Sequence, residues 1–294
     1  MQFVAALGGS FLLLLLFFIS WLPRRWALAL GAGLGGLLYR LMPYRRRVCA
    51  RNLAWAFPDW TPAAREALLR RHFRSLGQGF MEMGFAWFYP RWRLEKMCRL
   101  EADPAALAAL NDPKQGVVLL GCHATLLELG VRLLGLYVRA NGMYRPIRQR
   151  FFDRWIKYQR ERAASGIPLV HFKDLRGTLA VLQQGGNLWY AIDQDMGPKV
   201  SVFVPFFGLE TASINILPQL QKRTGALLVP VMIWREATGY VVRLQAPVVG
   251  ADAVAIMTEV NGRLEAEIRR QPEQYYWLHR RFKSLPDGSR RSYE

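Results

Sequence analysis

A chain of 294 residues that is 52% hydrophobic and 13% aromatic can bury one large core, which excludes general disorder. Forty Lys and Arg against 22 Asp and Glu leave a net charge of +18, which points to polyanionic partners: nucleic acid, an anionic membrane or an acidic protein. Cys49, Cys98 and Cys122 are odd in number and lack disulfide-framework or zinc-site spacing, which fits a reducing compartment.

The chain opens on an uncharged run, FVAALGGSFLLLLLFFISWLP, residues 3–23. As a helix it reaches about 31 Å at 1.5 Å per residue, enough for a hydrocarbon core. Arg24 and Arg25 follow the run and no cation precedes it, which favours an uncleaved anchor over a cleaved signal peptide. Arg45, Arg46, Arg47 and Arg51 add to the charge after the run and place the remainder on the cytoplasmic side. The alternative is a buried core helix. The expectation is a single-pass membrane protein, with the anchor in residues 1–25, a membrane-proximal segment in 26–60 and a catalytic domain in 61–294. The stretch WALALGAGLGGLLYRLMPY is glycine-rich and broken by Arg40, so it lies on a bilayer surface or packs on the domain.

Thr61 and Pro62 start a long helix as N-cap and first-turn residue. Leu69, Phe73, Leu76, Phe80, Met83 and Trp87 recur along it at steps of three and four, one apolar face. That face is core, although Phe85, Trp87, Phe88, Tyr89 and Trp92 also suit a membrane-interface belt. Beyond residue 115 short apolar runs alternate with amphipathic segments. QGVVLLGC is read as a strand, followed by a helix over roughly 125–139, then strands at GMYRPI and IPLVHF. DLRGTLAVLQQGG is a helix capped by Asp174. NLWYAIDQD and SVFVPFFG are strands, and ASINILPQLQKRTG centres a helix. ALLVPVMIW and YVVRLQAPV are strands, and AVAIMTEVNGRLEAEIRRQP closes with a helix. Strands alternating with helices predict an α/β fold: a central, mostly parallel sheet flanked by helices, behind the amino-terminal transmembrane helix.

Ligands of open α/β sheets gather at the carboxyl ends of strands, and His123 in GCHATLLELG sits at such an end. Glu128 follows five positions later, about 140° away around a helix, so the two do not share a face of one regular helix. A histidine in the strand-to-helix turn and a glutamate on the first helical turn can still meet, the carboxylate fixing the imidazole tautomer. A satisfied structural histidine is the bland alternative. No GxSxG elbow or phosphate-binding GxxxxGK[ST] loop is present. A base without a protein nucleophile suggests deprotonation of a hydroxyl or of water, and beside a membrane anchor a lipid hydroxyl is the natural substrate.

The blocks RNLAWAFPDW, FMEMGFAWFYP, GCHATLLELG, YRP, WYAIDQDMGPKVSVFVPFFG and PEQYYWLHRRFKSLPDG occur in this order over most of the chain. They resemble the lysophospholipid acyltransferase superfamily, with its histidine followed after four residues by an acid, and within it the bacterial late acyltransferases of lipid A biosynthesis. The resemblance implies transfer of a fatty acyl group from acyl carrier protein to a hydroxyl of a hydroxyacyl chain on a lipid A precursor of the Kdo-lipid IVA type. It implies catalysis by His123 and Glu128 without metal or cofactor, acyl carrier protein serving as co-substrate. It places 61–294 as the acyltransferase domain, on the cytoplasmic side of the inner membrane. It also assigns substrate contacts to Arg145 in YRP, to Asp193 and Asp195 in IDQDMG, and to Arg280, Arg281 and Lys283 in HRRFK. A buried salt bridge for Arg145, turn-capping aspartates and a solvated basic tail are the alternatives. Ala124 replaces a common aromatic after the histidine, and QRFFD follows YRPIR in place of a common Asn-Pro-Leu.

The acidic carrier, the phosphates of the lipid and an anionic leaflet all suit one basic surface. Rival readings are the same chemistry on lysophosphatidic acid or a glycolipid, a hydrolase in which the base activates water, and a non-catalytic basic membrane adaptor. No recognisable nucleic-acid motif is present, so nucleic acid is not an expected partner.

Overall fold

In the computed structural model, which describes residues 2–294 and side chains from residue 8 onward, the first apolar run forms α1 (Gln2–Ser20). One side of this helix is committed to protein: Leu16 is fully buried and the Phe17 ring meets Phe88 edge-on at 5.3 Å. Phe11, Leu14 and Phe18 lie exposed on the rest of it. Among the described residues no helix is long and apolar enough to cross a membrane. That finding overturns the expected transmembrane anchor over residues 3–23, and with it the single-pass inner-membrane placement. The physical reason is that α1 ends before Pro23 and spends a face on helix packing, whereas a lone span presents its whole circumference to lipid. Side chains at the start of the expected span lie outside the described residues.

Helix α2 (Arg24–Leu41) packs on the chain rather than standing apart from it, and α3 (Pro43–Ala56) follows with Val48, Cys49 and Leu53 buried. The long α4 (Pro62–Phe88) starts as expected, Thr61 Oγ1 accepting from Ala64 N–H at 3.2 Å. Leu69, Phe73 and Trp87 of the apolar stripe are buried in it. Its crossing with α2 needs glycine on both helices, because a Cβ at Gly77 would fall 2.0 Å from the Gly31 carbonyl oxygen. Phe85, Trp87 and Tyr89 are core residues, while Trp92 stays exposed on the short α5 (Arg91–Glu95).

The α/β part then runs β1 (Cys98–Ala102), α6 (Pro104–Asn111), β2 (Val117–Gly121), α7 (Leu127–Leu134) and β3 (Asn141–Tyr144). It continues through α8 (Arg150–Ala163), β4 (Val170–His171), α9 (Leu175–Gln183) and β5 (Asn187–Ala191). The hairpin strands β6 (Ser201–Phe206) and β7 (Leu209–Ile214) precede α10 (Leu217–Thr224), β8 (Leu227–Arg235), β9 (Tyr240–Leu244) and α11 (Ala253–Arg270). A seven-stranded sheet has the order β1-β9-β8-β2-β5-β3-β4. Every pairing in it is parallel except β8 with β9, so the central, mostly parallel sheet flanked by helices is as expected.

Strand β2 is buried along its whole length, which explains its unbroken apolar sequence. Val118 and Leu120 enter one core with Phe73, Leu188 and Leu228, and Val117 and Leu119 enter the other with Leu129, Val229 and Val231. Asp174 caps α9 as expected, accepting from Gly177 N–H at 2.9 Å. Several elements differ from the sequence reading, α5, β1 and α6 before residue 115 among them. Helix α7 is shorter, because Ala124 is taken into a bridge with Tyr275 and Gly135 ends the helix. The ASI of ASINILPQ belongs to β7, and the helix there begins only at Leu217. Helix α8 was not anticipated, and it carries Arg160.

Candidate active site

The site forms beyond the carboxyl ends of β2 and β5. These strands pair in parallel with Gly121 opposite Ala191, so the residues two positions on, His123 and Asp193, leave the sheet side by side. Asp193 is 1% exposed. Its Oδ1 accepts from His123 Nδ1 at 2.8 Å and its Oδ2 from the His123 backbone N–H at 3.0 Å. An ionised carboxylate only accepts, so Nδ1 carries the imidazole proton and Nε2 bears the lone pair. Gln194 Nε2 lies 3.2 Å from that nitrogen on the exposed side.

Burial alone would depress the basicity of His123, but the charge of Asp193 and the hydrogen bond to it prevail and raise its pKa above the ordinary value. Burial likewise works against ionised Asp193, and the charge of His123 together with its ring and backbone hydrogen bonds holds it well below the usual carboxylate range.

The loop bearing His123 is held from three sides. Thr125 N–H donates to Gln274 O at 2.8 Å and Tyr276 N–H to His123 O at 3.0 Å, which ties the loop to the segment after α11. Thr125 Oγ1 lies 2.8 Å from Ser75 Oγ, which in turn accepts from Arg235 Nη1 at 3.0 Å. Helix α4 reaches the loop closely because residue 79 is glycine: a Cβ there would lie 1.8 Å from the Thr125 carbonyl oxygen. Arg235 is buried and forked onto Glu82 at 2.7 and 2.6 Å, with Tyr240 Oη donating to the same carboxylate at 2.8 Å.

Glu128, expected to orient the imidazole, instead holds Arg160, with Nη2 to Oε1 at 2.5 Å. Its place on the first turn of α7 turns it toward α8, while the strand register gives His123 a carboxylate from β5. Asp193, expected at the substrate, is thus the partner of the histidine. Asp195 is a clamp on the carboxyl-terminal segment, accepting from Ser284 N–H at 2.7 Å and Ser284 Oγ at 2.9 Å, with Lys283 Nζ at 3.6 Å. Arg281 is fully buried and donates to Ala212 O at 2.6 Å and Ser213 Oγ at 3.2 Å, its guanidinium over the Phe206 ring at 4.9 Å. A phosphate at the surface does not reach it. Arg280 is exposed beside Tyr44 and Tyr293, and Arg145 is exposed beside Phe172 rather than in a buried salt bridge.

An apolar cleft of about 360 Å³ opens beside His123, lined by Gly121, Cys122, Ala124, Val231 and Ile233. It shares Leu127, Val131 and Trp189 with a second cleft of about 530 Å³, which runs between α7, β3 and α8 to Val138, Ala164 and Leu169. Arg160 lines the second cleft, so the Glu128 pair is fixed at its wall. A half-buried base beside an apolar cleft suits proton abstraction from a substrate that carries a hydrocarbon chain.

Residues 4–284 match the family model of the bacterial lipid A biosynthesis acyltransferases. The chain is 35% identical over 279 residues to the lipid A biosynthesis lauroyltransferase of Escherichia coli, covering 93% of this chain and 90% of that one. A lipid A biosynthesis acyltransferase of Haemophilus influenzae is 36% identical, covering 88% and 84%. The lipid A biosynthesis palmitoleoyltransferase of Escherichia coli is 34% identical, covering 88% and 85%. The chain therefore belongs to the bacterial lipid A biosynthesis acyltransferase family.

Proposed function

We propose that this acyltransferase moves a fatty acyl chain from the thioester of acyl carrier protein to a hydroxyl of a hydroxyacyl chain on a lipid A precursor of the Kdo-lipid IVA type. The observation that carries the reading is His123, oriented by Asp193 and turning its Nε2 lone pair to the exposed side, between two residues, Cys122 and Ala124, that line an apolar cleft.

The acceptor hydroxyl takes the place of Gln194 beside Nε2. As its oxygen attacks the thioester carbon, its proton passes to Nε2, and Asp193 stabilises the imidazolium. The tetrahedral intermediate collapses with cleavage of the carbon–sulfur bond. The imidazolium returns the proton to the departing sulfur, so the carrier leaves as a thiol and the histidine is regenerated. Asp193 thus fills the role first read for Glu128. Glu128 acts one step away, fixing Arg160 in the cleft wall.

The acyl tail lies along the joined clefts toward Val138 and Ala164. Two relatives at similar identity are named for lauroyl and palmitoleoyl transfer, so members of the family differ in the chain they transfer. Arg145 and Arg280 are the exposed cations offered to the lipid phosphates, and the net charge of +18 steers the acidic carrier toward the same molecule. Incubation of the protein with acyl carrier protein thioester and the lipid A precursor tests the proposal. It predicts a lipid product heavier by one acyl chain. Acylation of lysophosphatidic acid alone, or release of free fatty acid without a heavier lipid, refutes it.

A further inference from the structure

Helix α2 has two faces with different fates. Gly31 and Gly35 turn to α4, where a Cβ at Gly35 would fall 2.1 Å from the Phe73 carbonyl oxygen, so the two helices lie in backbone contact. The opposite face points outward. Trp26, Leu30, Leu37 and Leu41 recur along it at steps of four and seven, a ridge about 22 Å long at 1.5 Å per residue. They are 49% to 66% exposed, which makes the ridge a continuous apolar strip on the surface. Gly33 fills the gap in the repeat, and a Cβ at Gly33 or Gly36 would meet nothing within 4 Å.

Beside the ridge an open groove of about 820 Å³ runs between α2 and α4, lined by Gly33 and Gly36 and by three arginines, Arg40, Arg70 and Arg74. The carboxylate nearest to hand, Glu66, is already taken: Tyr39 Oη donates to its Oε1 at 2.5 Å and Arg70 Nε to the same oxygen at 2.7 Å. Arg70 and Arg46 lie over the Tyr39 ring, at 4.6 and 4.9 Å from its centroid. Arg40 and Arg74 are exposed, and among the described residues neither has a carboxylate partner. Like charges gathered at one groove repel, and an anion between them relieves the repulsion. Guanidinium forks match the oxygens of a phosphate in particular.

Leu37 belongs to both the ridge and the groove, so the apolar strip runs into the cluster of cations. A lipid supplies both complements, hydrocarbon for the strip and phosphate for the arginines. A second copy of this chain would bring its own arginines into the same contact, since a two-fold interface sets one patch against itself.

We propose that the groove between α2 and α4 binds the phosphate of an anionic lipid, whose chains lie along Trp26, Leu30 and Leu37. No residue lining it lines either apolar cleft, so the site is separate from the acyl pocket. Consecutive residues of α4 mark the division: Ser75 is buried against Thr125 of the histidine loop, and Arg74 is exposed in the groove. The proposal does not depend on the role of His123, and binding rather than turnover tests it.

The test is vesicle binding by the full chain, with phosphatidylcholine vesicles doped with phosphatidic acid as the probe and pure phosphatidylcholine as the reference. Arg40→Gln with Arg74→Gln removes the two cations that lack a carboxylate. Gly33→Gln with Gly36→Gln keeps every charge and fills the groove, and the open space at both positions lets the helix accept the longer side chains. Each pair weakens binding to the doped vesicles by about 10-fold or more, the scale of one charged hydrogen bond, at an unchanged melting temperature. Arg139→Gln with Arg223→Gln removes the same charge from exposed positions beside β5 and α9, and leaves binding within about 2-fold of native. An equal loss in this control would overturn the site, because the overall charge of +18 would then account for the attraction. Native binding by the glycine pair would overturn it too, as would a native chain that does not prefer the doped vesicles. Calorimetry separates the lipid from its headgroup. Glycerol phosphate binds about 10-fold or more weakly than a short-chain phosphatidic acid if the ridge holds the chains, and equal affinity would give the groove to a soluble phosphate. Self-association of the lipid-free chain that the glycine pair abolishes would give the ridge to a second copy and overturn the proposal.

Discussion

His123 and Asp193 stand 70 positions apart in the chain and 2.8 Å apart in space. The parallel register of β2 and β5 produces the meeting, since Gly121 and Ala191 are partners and both strands end there. The carboxylate is consequently placed by the sheet, and it contacts His123 twice, at Nδ1 and at the backbone N–H.

Asp193→Asn keeps the shape and removes the charge. The amide can hold the imidazole in the opposite tautomer, with Nε2 protonated and useless as a base. We expect kcat to fall about 10³- to 10⁴-fold, as for the equivalent change in a Ser-His-Asp triad, with KM for the acyl donor nearly unchanged. Because Asp193 raises the His123 pKa against the opposing effect of burial, the native acid limb of kcat/KM lies above the ordinary histidine value of about 6.5. Residual activity of the variant has its acid limb at lower pH. A steady-state pH profile of the two proteins checks both statements.

Stability carries a different pH signature. Burial holds His72 and His279 at about 4, and His72 Nε2 has no partner. Between the unfolded value of about 6.5 and 4 the unfolded chain takes up protons that the folded one refuses, so folding weakens as pH falls, by roughly 3 kcal/mol per histidine at most. His123 behaves oppositely: its raised pKa contributes stability below the unfolded value, and that contribution is lost as pH rises through the folded one. Denaturation of His72→Gln is expected to show a shallower decline between pH 6.5 and 4 than the native protein. An unchanged slope would mean that His72 does not take part.

Glu82 and Arg235 join α4 to the end of β8 in a buried fork, with side chains 0% and 9% exposed. Glu82→Gln leaves the guanidinium without a countercharge and should cost about 3–5 kcal/mol. Replacing both, as Glu82→Gln with Arg235→Met, should recover much of that loss. Urea unfolding of the single and double variants measures the difference. Because Arg235 also donates to Ser75, which touches Thr125 on the histidine loop, the single variant should lose activity beyond its loss of folded protein.

Much of this fold was legible because its strands and caps follow local rules. Val117–Gly121 is apolar at every position since both of its faces are covered, and Thr61 and Asp174 cap helices where their side chains predict. His123 was legible from its place at a strand end. Its partner was not, because register between distant strands is a tertiary property, and Glu128 was nearer in sequence. Arg160, which takes Glu128, sits on α8, a helix whose dense charges hid the Trp155 and Ile156 that pack on the core. The transmembrane expectation is corrected on length and apolarity, since among the described residues no helix suffices to cross a membrane, and α4 covers one side of α1 at Leu16.

Val138 lines the far part of the apolar cleft and is 6% exposed. Val138→Phe fills that end without approaching His123. The variant should keep its rate with short acyl donors and lose at least about 10-fold with donors long enough to reach the new ring, since one or two methylenes are worth 1–3 kcal/mol in such a pocket. Competition between thioesters of different chain length, read by mass spectrometry, reveals the shift. Equal losses for all chain lengths would place the acyl tail elsewhere.

The central claim is that His123 removes the proton from the lipid hydroxyl. The most direct measurement is single-turnover acyl transfer by His123→Gln, a protein shown by circular dichroism to be folded and by titration to bind the acyl donor. The account predicts binding near the native level and transfer slowed by about 10³-fold or more, the scale on which a general base acts together with its orienting carboxylate. Transfer within a few-fold of the native rate would contradict it.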